Sequence, residues 1–456
     1  MSAVNLKSTN TDKVDIVARV ALAVTALLSA GVGAAAVLSD LGGTPVRLAL
    51  YVLAPFVSAS ACAGLLFTSA TVRKMACVYG AAFVIALISV EIYLDHAERS
   101  ADLRASQSAS GPGLAGFISP PELAPTICPS SLLVSDDGSL TPILIGEDGR
   151  SLLPFAGPSK TTVLRLAGED LTRSISDRYG FNNPDSVWDH EARTPVLMIG
   201  DSFTYGADVP FGAGFADIVR EAQTGAINLG CGGNGPFAAL AALKEYGPLV
   251  RPEVTVWGYY EGNDLTKDIF REANVAMFRN YLTSGNAPQN LHQRVQEIDR
   301  VLWTFIMQTR SDAAPEASPR VNVSTVPSIR DVAKLTQLRT RLGLSQSVSE
   351  EALMLLDPIL SEMRKTVESW GGRLIVLHLP SETRYATPLG GLDIAAYTRM
   401  VRRAVQDHGI GWVSAAPSFN ARADDPLSLF EGHYNEAGYA IVADVLIEAI
   451  ADEAAK

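Results

Sequence analysis

The sequence is short of several residue types, and each shortage excludes a class of protein. Charged residues make up 19% of its 456 residues, with a net charge of −12. No stretch clusters Lys and Arg as a phosphate backbone requires, so we expect no nucleic-acid partner. Only six histidines are present. None has the spacing of a zinc site, so we predict that the protein holds no metal.

Cysteine is also scarce, with four in the chain. Cys62 and Cys77 fall inside apolar runs and are interpreted as small residues of membrane helices. Cys128 and Cys231 lie outside those runs and could pair in an oxidising compartment. Two free thiols are the commoner outcome at this cysteine density, so the sequence leaves the pairing open.

Three long uncharged runs account for the shortage of charge. Residues 20–39 and 48–72 hold 20 and 25 residues without a charge, and each can cross a ~30 Å hydrocarbon layer as a helix. Residues 75–90 form a shorter run, which 92–94 extend to an interfacial aromatic. A cleaved signal peptide is the alternative for the first run, but its long polar leader and the later runs fit that less well. The sequence predicts a membrane anchor of about three helices within residues 1–100.

The flanking cations predict how this anchor is oriented. They precede the first run or separate the second from the third: Lys7, Lys13, Arg19, Arg73 and Lys74. Positive charge marks the cytoplasmic side. Three spans therefore put everything after residue 100 outside the cytoplasm, whereas two spans would leave it in the cytosol.

The rest of the chain divides into three further parts. Residues 101–130 are expected to form a tether, because their first half is rich in Ser, Ala and Gly. Residues 131–190 alternate short apolar runs with Asp-Gly turns, which predicts a small β-rich pre-domain. From residue 191 to 456, short apolar strands alternate with helices. This pattern predicts an α/β domain with a parallel sheet covered on both faces.

Strands and helices of that domain can be placed from the pattern. Strands are predicted at 196–199, 226–229, 254–259, 374–379 and 412–414, with helices at 215–222 and 237–246. Functional loops of such a sheet lie at the carboxyl ends of its strands. Residues 265–345 interrupt the alternation with a helical section (293–308), a Pro/Ala/Ser-rich break (312–328) and a second helix. We interpret them as an inserted cap or lid.

Four motifs follow these strands. GDS ends at Ser202, although such triplets also cap helices. NLGCGGNGP at 228–236 contains a formal G-x-G-x-x-G, but no acidic strand end follows it, which disfavours a dinucleotide site. GYYEGNDL carries Asn263, whose amide either donates at the same sheet edge or merely satisfies backbone groups. FEGHYNEAGY carries His433, with Glu431 two residues earlier.

In this order the four motifs resemble the SGNH/GDSL hydrolase family over roughly residues 195–445, apart from the insert. The segments DRYGFNNPDSVW and YYEGNDL are similar to a membrane-tethered bacterial branch. The resemblance implies a three-layer flavodoxin-like domain and, with the orientation above, a periplasmic domain on the inner membrane. It implies Ser202 as nucleophile and His433 as general base. The oxyanion hole would be the N–H groups of Ser202 and Gly233 and the Asn263 amide.

One departure from the family concerns the acid that orients the histidine. The family usually has Asp three residues before the histidine, where this chain has Phe430. Glu431 is the expected substitute. Asp424, Asp425 and a Ser–His dyad remain alternatives.

The resemblance implies an acyl-serine mechanism on an extracytoplasmic ester, with no metal or organic cofactor. Water as acceptor gives an esterase whose substrate is an ester such as an acylated cell-surface glycan. A sugar hydroxyl as acceptor gives an O-acyltransferase on an exported polysaccharide, which would need a membrane partner supplying the acyl donor. A carbohydrate-binding module on a retired hydrolase fold is the non-enzymatic alternative. The sequence names neither the acyl group nor the substrate.

Overall fold

The structure is a computed structural model that describes residues 3–38, 48–108, 123–125, 128, 146, 149, 151–167, 170–189, 193–283, 289–312, 332, 334–342 and 348–454. The chain divides into two compact units. The first, called the membrane unit after its apolar helices, comprises Met1–Arg104, Asn322–Ser347 and Thr387–Tyr397, and the second, the α/β unit, comprises Ala105–Val321, Val348–Ala386 and Thr398–Lys456.

The membrane unit contains three long apolar helices: α1 (Ala3–Leu38), α2 (Ala54–Leu65, after a π-helical segment Leu48–Leu53) and α3 (Ala70–Ser108). Stretches long and apolar enough to cross a membrane are Lys13–Ala35, Leu48–Leu65 and Ala70–His96. The buried Arg73 donates to both carboxylate oxygens of Asp15, at 2.9 and 2.7 Å, and thereby joins α3 to α1. The three apolar helices predicted from the sequence are confirmed.

A small sheet precedes the main one in the chain. Its strands are β1 (Leu123–Pro125), β2 (Thr162–Ala167) and β3 (Asp170–Ile175). β1 pairs with β2 in parallel, and β2 pairs with β3 antiparallel. The apolar runs at 131–134 and 142–145 lie outside the described residues, so the extent of the pre-domain stays a prediction.

The main sheet has five parallel strands: β4 (Val196–Gly200), β5 (Ile227–Asn228), β6 (Val254–Tyr260), β7 (Arg373–Leu379) and β8 (Gly411–Ser414). Their order is β5-β4-β6-β7-β8. In chain order this is 2-1-3-4-5, the flavodoxin-like arrangement, whose ligands bind where the connections turn in opposite directions. Here that switch point lies at the carboxyl end of β4. The predicted fold class is confirmed.

The helices that follow β3 are α4 (Ser202–Tyr205), α5 (Phe215–Ala222), α6 (Pro236–Val250), α7 (Ile269–Ala273), α8 (Ala276–Asn280), α9 (Val295–Asp312), α10 (Thr336–Arg341), α11 (Glu350–Glu368), α12 (Thr383–Ala386), α13 (Pro388–Asp407), α14 (Ala416–Arg422) and α15 (Glu436–Ala454). On one face of the sheet, α5 and α15 pack against alternate residues of β4, β6 and β7. On the other face, α6 contacts β4 and α11 contacts β7. Helices on both faces explain why the strands are continuous apolar runs.

The far end of the insert belongs to the membrane unit. Both oxygens of the buried Glu91, in α3, accept backbone N–H groups at the start of α10, from Gln337 at 2.7 Å and Leu338 at 2.9 Å. A carboxylate there satisfies N–H groups that the first helical turn leaves without partners. Most of the Pro/Ala/Ser-rich break lies outside the described residues, and a lid function for the insert stays a prediction.

Candidate active site

Ser202 is presented at the carboxyl edge of the sheet by a tight turn after β4. Gly200 has φ 153°, and a Cβ there would collide with Thr204 Oγ1 and the Gly258 carbonyl. Asp201 caps the one-turn helix α4, because its Oδ1 accepts the Phe203 N–H at 2.9 Å. The buried strand is therefore followed by an acid and a hydroxyl for one reason: Asp201 fixes the turn that presents Ser202.

Three side chains form a hydrogen-bonded line at this edge. Ser202 Oγ lies 2.8 Å from Nε2 of His433, and Nδ1 of the same imidazole lies 2.6 Å from Oδ2 of Asp208. His433 belongs to a hairpin formed by β9 (Phe430–Glu431) and β10 (His433–Tyr434). Asp208 lies in the loop after α4 with φ 62°, a left-handed conformation that Asp tolerates better than most residues. A hydroxyl, an imidazole and a carboxylate in this order can activate the oxygen as a nucleophile.

The structure does not bring Glu431 to the histidine as the sequence analysis expected. Glu431 is exposed on β9, and Asp208 occupies the position beside Nδ1 of His433. The two alternatives are exposed as well, and Oδ1 of Asp425 accepts the Leu427 N–H at 3.0 Å. A Ser–His dyad does not describe the geometry either, since a carboxylate completes the line.

The second motif forms a turn beside Ser202. The Cys231 N–H donates to the Gly200 carbonyl at 3.1 Å, and the Asn234 N–H donates back to the Cys231 carbonyl at 3.1 Å. Gly233, the third residue of this turn, has φ 74°, which a glycine adopts without strain. A Cβ on Gly232 would lie 3.7 Å from Ser202 Cβ. Segment 231–234, named the oxyanion turn after its expected role, therefore lies beside Ser202.

Asn263 lies on the other side of Ser202. It follows β6, which pairs with β4 in the register Gly200↔Gly258, so both residues follow neighbouring strand ends. Its backbone carbonyl accepts N–H groups from Thr266, Lys267 and Asp268. Its side-chain Oδ1 is buried and has no hydrogen-bond partner among the described residues. The carbonyl of this side chain is therefore not used to satisfy the backbone of the turn.

The oxyanion turn is held at both ends by groups that the sequence analysis did not assign. Cys128 and Cys231 form a disulfide, which resolves the pairing that the sequence left open. On the other side, Nη2 of Arg271 donates to the Gly233 carbonyl at 2.5 Å. Glu272 accepts the N–H groups of Gly235 at 2.7 Å and of Phe237 at 2.9 Å, at the start of α6. Helix α7 of the insert thus braces this turn.

Two buried carboxyl groups lie under the site. Burial raises the pKa of Asp201 to about 7 and also raises the pKa of Asp264. Each has one oxygen that accepts a backbone N–H and one that has no partner among the described residues. An oxygen without a donor in a buried site favours the neutral acid. Within the described residues, no group of His, Cys, Asp and Glu is arranged to hold a metal ion.

A second hydroxyl–imidazole pair lies at the ends of β7 and β8. His378 contacts Ser414 Oγ through Nδ1 at 2.8 Å and Glu261 through Nε2 at 2.7 Å. Oε1 of Glu261 also accepts a hydrogen bond of 2.8 Å from Nε of Arg384. His378 and Arg384 outweigh the effect of burial and hold the pKa of Glu261 well below its usual range. This ion-paired network anchors the chain two residues before Asn263.

Comparisons with known proteins give only distant structural likenesses. No protein-family model and no curated protein matches the chain. It is similar to a protein described as lipolytic and of the G-D-S-L family from Desulfitobacterium hafniense DCB-2 (14% identity, 56% of this chain and 98% of the other, TM-score 0.29). It is also similar to the psychrotrophic esterase EstA from Pseudoalteromonas sp. (10% identity, 58% of this chain and 100% of the other, TM-score 0.28). A third similar structure is the α/β hydrolase LAE5 from the Lake Arreo metagenome (14% identity, 57% of this chain and 97% of the other, TM-score 0.30). Such distant likenesses carry no argument about the activity of this chain.

Proposed function

We propose that this protein is a membrane-anchored serine esterase of the SGNH/GDSL type. The observation that carries the proposal is the line from Ser202 through His433 to Asp208. His433 takes the serine proton as Ser202 Oγ attacks the ester carbonyl, and it returns that proton to the leaving alcohol. Asp208 holds the imidazole and stabilises its charged form. Water then attacks the acyl-serine with His433 as base, and the acid product leaves.

The tetrahedral intermediate of each step carries a negative oxygen. The N–H groups of Ser202 and Gly233 and the amide of Asn263 are the proposed donors to it. The two flanking segments follow β5 and β6, the neighbours of β4, and a Cβ on Gly232 of the oxyanion turn would lie 3.7 Å from Ser202 Cβ. Donors fixed in advance are effective because no reorganisation is needed when the charge forms. An intact set of this kind argues against a retired fold that only binds carbohydrate.

We propose a periplasmic position for the α/β unit and an acylated cell-surface glycan as the substrate class. The disulfide supports an oxidising compartment, since such bonds are rare in the cytosol. The cations at the start of α1 and α3 support three spans with the rest of the chain outside. A carboxyl-terminal reporter that is active only in the periplasm should be active. A silent reporter on a well-expressed fusion would refute this orientation.

A fluorophosphonate probe tests the nucleophile in the full chain in detergent. Wild-type protein should be labelled at Ser202, and Ser202→Ala should not be labelled. Ser414→Ala is the matched control, because Ser414 also contacts an imidazole but belongs to the ion-paired network. Loss of labelling in Ser414→Ala with retention in Ser202→Ala would move the chemistry to the other serine.

An ester series with an added oligosaccharide tests the acceptor. Hydrolysis to free acid should predominate. Transfer of the acyl group to the sugar in preference to water would replace the esterase by an O-acyltransferase, with the same residues.

A further inference from the structure

The Cys128–Cys231 disulfide lies beside the proposed active site and joins it to a distant part of the chain. Its two cysteines are separated by 103 residues, and both are buried. Cys231 is the first residue of the oxyanion turn, and the next N–H, of Gly232, donates to Cys128 Sγ at 2.7 Å. The disulfide is therefore attached to the turn at Cys231, the residue directly before Gly232 and Gly233.

Gly232 lies beside both the disulfide and the nucleophile. A Cβ on this glycine would lie 3.5 Å from Cys128 Sγ and 3.7 Å from Ser202 Cβ. The sulfur and the serine thus both face the side of Gly232 that carries no side chain. A movement of the disulfide would move Gly232 and the peptide that joins it to Gly233, and the N–H of this peptide is the proposed donor.

We infer that the Cys128–Cys231 disulfide is a positioning device for the oxyanion hole: it keeps the Gly233 N–H next to Ser202. The inference rests on the proposed esterase function and goes beyond it by making turnover depend on an oxidised pair of cysteines. Cys128 and Cys231 touch no substrate and act through the turn.

The chemistry of the turn explains why it needs a covalent restraint. Two successive glycines are conformationally permissive, so this backbone samples more states than any other pair of residues would. An oxyanion donor, by contrast, must stay within ~2.7–3.1 Å of the developing charge. One backbone hydrogen bond holds Cys231 to Gly200, and Arg271 holds the Gly233 carbonyl. Neither of these contacts acts on Gly232. The disulfide restrains Cys231, the residue before Gly232, and its Cys128 sulfur accepts the Gly232 N–H.

The test compares the full chain with and without this bond, using p-nitrophenyl acetate as substrate. The variant is Cys128→Ala combined with Cys231→Ala. The control is Cys62→Ala with Cys77→Ala, which removes the two free thiols of the membrane helices. We expect kcat to fall by about 10-fold to 100-fold in the variant, because a donor displaced by ~1 Å loses much of its effect. KM should change less than about twofold, since the donor acts on the transition state. The control should keep both constants.

Assays are run well below the melting temperature of each protein, so that unfolding does not lower kcat. If the double variant does not fold, wild-type protein is reduced with dithiothreitol, the thiols are counted by mass after alkylation, and a second sample is reoxidised. A reversible fall in kcat supports the inference.

Two results overturn it: an unchanged kcat in folded, disulfide-free protein, or an effect confined to KM. Failure of the proposed function looks different. In that case oxidised wild-type protein itself neither hydrolyses the ester nor reacts with a fluorophosphonate.

Discussion

Replacing Asp208 by asparagine removes the charge beside His433 and keeps the shape of the side chain. The carboxylate accepts from Nδ1 at 2.6 Å, which fixes the tautomer that leaves Nε2 free to accept the serine proton. An asparagine amide can instead donate to Nδ1, and this would stabilise the tautomer with its proton on Nε2. In that tautomer His433 cannot act as the base for Ser202.

The size of the loss follows from the exposure of the pair. The equivalent change in the best-known triad costs ~10⁴ in kcat. Here the side chains of His433 and Asp208 are 26% and 38% exposed, so water reaches both groups and partly replaces the carboxylate. We therefore expect Asp208→Asn to lower kcat by ~10²–10³, which corresponds to about 3–4 kcal/mol of transition-state stabilisation.

The assay measures kcat and KM for a short acyl ester, together with the melting temperature. Glu431→Gln is the matched control: the residue is two positions from His433 but exposed on β9, so kcat should stay within about twofold. A fully active Asp208→Asn enzyme would reduce the site to a Ser202–His433 dyad. A large loss in Glu431→Gln with an active Asp208→Asn would return the acid to Glu431.

Three other substitutions test the surroundings of the triad. Asn263→Ala should lower kcat by ~10²–10³ with a nearly unchanged melting temperature, and an unchanged kcat would exclude its amide from the oxyanion hole. Arg271→Ala should lower kcat about 10-fold at constant KM, with partial recovery in Arg271→Lys, whereas the exposed neighbour Lys267→Ala should have no effect. Burial raises the pKa of Asp201 in the folded chain, so the stability it contributes is present in acid and is lost as the pH rises from about 4 to about 7. Urea titrations at a series of pH values give the free energy of unfolding, and Asp201→Asn should reduce its fall over this pH range by up to ~4 kcal/mol. Parallel plots of this free energy against pH for the two proteins would refute a neutral Asp201.

Most of the fold was accessible from the sequence because it depends on local patterns. Strands of the main sheet are buried on both faces, so each appears as an apolar run, and the predicted 254–259 and 374–379 differ from β6 and β7 by one residue at one end. Helix α5 has the predicted bounds, 215–222. The parallel arrangement then brings Ser202 and the motifs after β5 and β6 to one edge without further information.

The disulfide could be raised as an alternative but not decided in this way, and the Arg271 contact could not be found at all. Cys128 precedes Cys231 by 103 residues, and a pairing over that distance leaves no mark on local sequence. Arg271 lies in the insert, where the pattern indicates helices but not what they contact. Both contacts depend on tertiary packing around the oxyanion turn.

The absence of a carboxylate from position 430 has a more specific cause, which is the packing of Phe430. In the structure Phe430 packs among aromatic rings, 6.0 Å from Tyr385, 5.8 Å from Phe419 and 5.2 Å from Tyr434 between ring centroids. A carboxylate there would be partly buried among these apolar rings. The hairpin that carries His433 thus uses the usual position of the acid for its docking to the core.

The carboxylate beside His433 comes instead from the segment that follows Ser202. The Ser202 carbonyl accepts the N–H groups of Gly206 and Ala207, both at 3.0 Å, so the chain turns back and carries Asp208 to the edge where Ser202 lies. Nucleophile and acid are therefore fixed by one local turn, and the docked hairpin adds the histidine between them. No spacing rule centred on the histidine can find such an acid, because its position is defined relative to the serine.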